Sequence, residues 1–230
     1  MDAGGTVFVF PGDVSQWTPS AVEPAPAFDE ELWRCDSAFS EFADWSVLEA
    51  VRGNADSLML DRVDVMQPVL FSATVSLVAH RRALGIGPDA VLGHSQGEIA
   101  AAYVAGALSL RDAARVVTAS SRAISAIEEA GVTESDPSAV DPVLEIMREE
   151  LAGLEPRRSS IEFISGVTGA GLDTSILDGD YWFANLRQPA LFEQAIRWAY
   201  ERGYRTFIEA STQPVLTVGI RESLAGYGVR

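Results

Sequence analysis

One five-residue stretch narrows the folds open to this chain more than any other. It is Gly93-His94-Ser95-Gln96-Gly97, set where the apolar run "DAVLGH" (89–94) gives way to a helical pattern from about Gln96 to Ala107. G-x-S-x-G between a strand and a helix is the context of a nucleophile elbow: the serine occupies a sharp, strained turn, and the glycines leave space where side chains would collide. Gln96 then presents its backbone N–H at the helix start, as one half of an oxyanion hole.

The surrounding pattern alternates strands with helices. "TVFVF" (6–10) reads as a buried strand ended by Pro11-Gly12, "SIEFISGVT" (160–168) as a third strand after "DAVLGH", and "YRTFIEAS" (204–211) as a fourth. The proline-rich segment 17–28 predicts an ordered loop, and the spacing of Leu32, Phe39, Phe42, Trp45 and Leu48 an amphipathic helix or a broken pair. A helix is expected after Pro68, ending at Gly85. Another runs from Ser109, with Asp112 completing a capping box, to Gly131. Asp141 and Pro142 suit the cap and first turn of a helix ending at Gly153. Residues 180–203 predict two helices broken at Pro189, and a last helix follows Pro214. The expected fold is α/β, with a mostly parallel sheet flanked by helices in a single domain over 1–230, and catalytic groups at strand C-termini.

Composition removes several function classes. With 33 acidic residues against 17 basic ones, the formal charge of −16 opposes nucleic acid and anionic membranes as partners. Every basic residue is arginine, which excludes Schiff-base chemistry and a P-loop lysine. One cysteine, Cys35, rules out an internal disulfide and thiolate metal sites, and is expected half-buried on a helix. No apolar run approaches the ~20 residues of a membrane helix, and Met1–Thr6 lacks the pattern of a signal peptide, so a cytoplasmic location is expected. Only two histidines, His80 and His94, are available as a general base.

The chain resembles the acyltransferase domains of modular polyketide synthases, relatives of the malonyl-CoA:acyl-carrier-protein transacylases. The likeness rests on "VFVFPGDVSQW", on "MQPVLFSATVSLVAHRRALGIGPDAVLGHSQGEIAAAYVAGALSLRDAARVV", and on "FISGVTGAGLDT", "YWFANLRQP" and "TFIEASTQPVL", in family order and spacing. It implies an α/β-hydrolase-like large subdomain. It also implies ping-pong transfer through Ser95, from coenzyme A to the phosphopantetheine thiol of an acyl carrier protein, with no bound cofactor or metal.

Against that pattern the chain departs in several places. The family's catalytic histidine maps to Asp136, and the arginine that grips a malonyl-type carboxylate maps to Ser120. Arg122 lies about 200° further around the helix and cannot substitute. Asp13 replaces the glutamine whose N–H completes the oxyanion hole, Val14 a glycine, and Gln213 a histidine, whereas Gln67 and Gln16 are retained. The ferredoxin-like small subdomain would enter at the polar junction 132–139, and residues 123–138 are too few to form it. His94 is expected to be a packing residue beside the site, and His80 a structural one. The expectation is therefore a non-catalytic remnant, kept as a structural or docking element beside a ketosynthase, its linker and an acyl carrier protein. The alternative is a serine enzyme transferring or hydrolysing a non-carboxylated acyl thioester through Ser95.

Overall fold

Along the first strand, side chains alternate between two separate cores. Phe8 and Phe10 enter one hydrophobic cluster and Val7 and Val9 the other, all four without solvent exposure. That period of two, with both faces covered, belongs to a central strand in a helix-flanked sheet. A computed structural model describes residues 4–12, 25–54, 56–131, 137–211 and 213–228.

Its sheet has the order β4-β3-β2-β1-β5. Strands β1 (Gly5–Phe10), β2 (Ala90–Gly93), β3 (Glu162–Ser165) and β5 (Tyr204–Glu209) run parallel, and β4 (Ala170–Leu172) pairs antiparallel with β3. One core lies under α1 (Pro26–Phe39), α2 (Val47–Val51), α4 (Val63–Ala83), α5 (Gly97–Ala105), α6 (Leu110–Glu129), α7 (Pro137–Glu150) and α8 (Gly179–Arg187). The other lies under α9 (Phe192–Glu201) and α10 (Thr217–Ser223). A short α3 (Ser57–Leu60) precedes α4. The α/β class and the mostly parallel sheet thus agree with the sequence reading.

Local signals account for most boundaries. Ser109 Oγ accepts the backbone N–H of Asp112 at 3.1 Å and donates to its carboxylate at 2.7 Å, the expected capping box. The chain breaks between α8 and α9 at Pro189, and the stretch expected as one helix or a broken pair is the pair α1 and α2.

Several expectations need correction. Helix α4 starts at Val63, not after Pro68, and α7 starts at Pro137, not at Asp141. Each places its proline at the sixth helical position, so a residue read as a start signal lies inside the helix, beside a partly open first turn. Asp141 therefore caps nothing, and pairs instead with Arg187 at 2.8 Å. Residues 26–28, expected as loop, open α1. The "third strand" ends at Ser165, and β4 was not anticipated. Helix α4 is long and apolar enough to cross a bilayer by length and composition, contrary to the reading that no segment approaches this, but most of it is buried in the core. Cys35, expected half-buried, is fully enclosed on α1. Burial, then the nearby Glu31 carboxylate, pushes its thiol well above the usual range.

Because the Ser109 side chain satisfies a backbone N–H at the start of α6, Ser109→Ala should lower stability by about 1 kcal/mol. Urea unfolding followed by circular dichroism would measure it.

Candidate active site

Strands β1 and β2 end side by side, and the chain leaves each by a turn with no room for side chains. His94 N–H donates to the Phe10 carbonyl at 2.9 Å, Gly97 N–H to His94 at 3.0 Å and Glu98 N–H to Ser95 at 3.0 Å, which folds β2 directly into α5. A Cβ on Gly93 would fall 2.1 Å from the Glu98 Cα, and one on Gly97 would fall 2.2 Å from the Phe10 carbonyl oxygen. Gly12, after β1, leans on the same turn, where a Cβ would lie 2.7 Å from the Gln96 nitrogen. The glycines on either side of Ser95 are therefore demanded by backbone approaching backbone.

Ser95 is the consequence. Its φ is +51°, and among the described residues it is the one non-glycine residue in the left-handed region. A side chain there costs about 1–2 kcal/mol. The elbow expected from G-x-S-x-G is present, with Ser95 half-buried and Gln96 at the N-terminal end of α5.

The other anticipated residues are distributed as follows. Gln67, buried on α4, donates from Nε2 to the Gly12 carbonyl at 3.1 Å, and so braces the turn that leans on the elbow. Gln96 is 6% exposed, and among the described residues neither of its side-chain amide atoms has a hydrogen-bond partner. His94 packs edge-on against Phe192, with ring centroids 5.1 Å apart at 89°. His80 lies thirteen residues along α4 from Gln67, roughly 20 Å at the helical rise. Ser120 is buried, and its hydroxyl meets the Met147 sulfur of α7 at 3.7 Å. Arg122 donates instead to the Phe42 carbonyl at 2.8 Å, on the surface. Asp13, Gln16 and Asp136, with most of the 132–139 junction, lie outside the described residues. Among the described residues no group of three or more His, Cys, Asp or Glu side chains could hold a metal ion.

One group was missed by sequence reasoning. Glu98, the second residue of α5, has no exposed surface. Its Oε1 accepts the Gly166 N–H at 2.7 Å and the Tyr181 hydroxyl at 2.6 Å, and its Oε2 accepts the Asn185 amide. Burial pushes this carboxyl up to about 7, with the three donors holding it from rising further. Burial, then the Glu98 carboxylate, pushes the Tyr181 hydroxyl far above its ordinary range. The sequence signal was a charged residue inside the apolar helix "GEIAAAYVA", which must be paired if it is buried.

A family model described as "Acyl transferase domain" matches residues 7–136 and 133–227. Mycoketide-CoA synthase of Mycobacterium tuberculosis is 41% identical over 288 aligned positions, taking in 97% of this chain and 7% of that protein. That alignment is longer than the chain, so the relative carries residues with no counterpart here. The acyltransferase domain from module 8 of the salinomycin polyketide synthase superposes with a TM-score of 0.85 at 36% identity, over 99% of this chain and 70% of that one. A loading acyltransferase from the avermectin modular polyketide synthase gives 0.85 at 35% identity, over 98% and 92%. The chain spans less than a fifth of the length of the curated relatives it matches.

Replacing Ser95 by glycine removes the strained side chain at little packing cost. Ser95→Gly should therefore raise stability by about 1 kcal/mol, read as a higher urea midpoint at an unchanged slope.

Proposed function

Since the chain belongs to the acyl transferase domain family, among the acyltransferase domains of polyketide synthases, we propose that it is a member that keeps the elbow and has lost the means to use it. It serves as a structural or docking element between neighbouring synthase domains, such as a ketosynthase and its linker. The observation that carries this reading is the placement of the two histidines: His94 is turned onto Phe192, and His80 sits far along α4. Without a base, a serine hydroxyl gives up its proton poorly, and loss of that base costs a serine protease roughly 10⁶ in turnover.

Other features support the same reading. At the clamp position stands Ser120, whose hydroxyl meets a methionine sulfur, and the missing charge-assisted pair forfeits about 1.5–3 kcal/mol of binding to a malonyl-type carboxylate. Asp13 places a carboxylate where the family has an oxyanion-hole glutamine, and Asp136 stands at the histidine position. The two matches to the family model meet at 133–136, where we place the missing ferredoxin-like subdomain. The chain is taken as one large subdomain over 1–230, in the cytoplasm, with no nucleic acid or membrane partner.

A second reading is favoured by one observation, the retained strain at Ser95. On that reading the chain transfers or hydrolyses an uncharged acyl group, drawn from acyl-CoA or an acyl carrier protein, with no bound cofactor. Ser120 imposes no penalty on such a group.

Incubation with a panel of acyl-CoAs and acylated carrier proteins, followed by intact mass beside Ser95→Ala, separates the two. The expected result is no serine-dependent adduct and no hydrolysis above buffer. An adduct on Ser95 formed at an enzymatic rate would overturn the remnant reading and establish the second.

A further inference from the structure

Every atom that meets the Glu98 carboxylate is a donor. Tyr181 gives its proton to Oε1, so its own oxygen accepts the Ser165 hydroxyl at 2.7 Å, and Ser165 in turn accepts the N–H groups of Val167 and Thr168 at 3.1 Å each. The arrangement suits an ionised carboxylate, because a proton added to either oxygen would face a donor and displace it. Both oxygens are occupied, so Glu98 is not offered to a substrate.

Its partners lead back to the elbow from the opposite side. Gly166, held through its N–H by Glu98, accepts the Leu191 N–H through its carbonyl at 2.7 Å. Leu191 opens α9, and the next residue, Phe192, carries the ring that meets His94. Gly166 also lies against the Gly93 carbonyl, where a Cβ would come within 3.2 Å. The circuit from Glu98 through Gly166, Leu191 and Phe192 thus closes on His94, the residue before Ser95. Tyr181 and Asn185 attach the same carboxylate to α8.

We propose that Glu98 is a positioning residue: its ionised carboxylate holds the wall formed by the β3 turn and the Leu191–Phe192 corner against the elbow, and uptake of a proton releases that wall. The role is independent of whether Ser95 turns over. Among the described residues, the titratable group facing Glu98 is Tyr181, which stays protonated far above neutrality, so the response belongs to Glu98.

Two trends of opposite sign follow. Between the ordinary carboxyl value of 4.5 and about 7, the folded protein keeps a proton that the unfolded chain has lost, so the Glu98 contribution to global stability falls as pH rises. Above about 7 the carboxylate ionises with the wall in place, and the wall tightens, because a wall drawn away would leave the buried carboxyl without its donors and holding its proton to higher pH. A group that merely filled space would give neither trend.

The test is amide hydrogen exchange at Gly166 and Leu191, expressed as protection factors and followed by NMR from about pH 5.5 to about pH 8.5, with thermal unfolding at each pH. In the wild-type chain, protection at both amides should rise about tenfold or more with pH, as loss of one charge-assisted hydrogen bond implies, while the unfolding temperature falls relative to Glu98→Gln. In Glu98→Gln, protection should be low and independent of pH. If that variant does not fold, the wild-type series and Asn185→Ala, which removes one tie and leaves the charge, decide the matter. Asn185→Ala should lower protection at high pH and retain the pH dependence. Equal wild-type protection at both ends of the range, or full protection of Leu191 in Glu98→Gln, would overturn the proposal.

Discussion

The meeting of three glycines at the ends of β1 and β2 is the contact on which the rest of this molecule depends. Gly12, Gly93 and Gly97 let two strand ends and a helix start approach until a single methyl group on any of them would overlap backbone. No side-chain movement relieves such an overlap, so the turn is imposed by the scaffold. The left-handed conformation of Ser95 is then a property of the fold rather than of any chemistry performed there. An elbow of this kind has structural reasons to persist whether or not a reaction runs on it.

That distinction organises what surrounds the serine. Around the elbow, structural ties are retained: Gln67 braces Gly12, Phe192 packs on His94, and Glu98 collects three donors from two segments. On the proposed reading, the groups that would move a proton or grip a carboxylate are the ones replaced. Ser120 is absorbed into the α6–α7 packing against Met147, and Arg122 is committed to the Phe42 carbonyl. A buried carboxylate as costly as Glu98 is tolerated because its three donors serve to join α5, β3 and α8.

Much of the architecture was legible in the sequence because its determinants are local. The run of apolar residues in "TVFVF", the Ser109–Asp112 capping box and the break at Pro189 each act within a few residues. The failures share a cause. Pro68 and Pro142 are good first-turn residues, and only packing against the rest of the molecule extends their helices by five residues towards the N-terminus. Strand β4 is three half-buried residues whose pairing comes from β3, and it carries no period of its own. At the site, Ser95, Gln96 and His94 were readable from one pentapeptide. Glu98 was not, because its meaning lies with Gly166, Tyr181 and Asn185, far along the chain.

On the proposed reading Ser95 lacks a group to take its proton and should behave as an ordinary alcohol. The most direct measurement is the pH dependence of Ser95 phosphonylation by a serine-directed organophosphonate, with Ser95→Ala as background. A rate that climbs in proportion to hydroxide, close to that of serine in an unstructured peptide, is the result expected here. A plateau with its midpoint near the imidazole value of about 6.5, at a rate hundreds of times higher, would reveal a working base and contradict it.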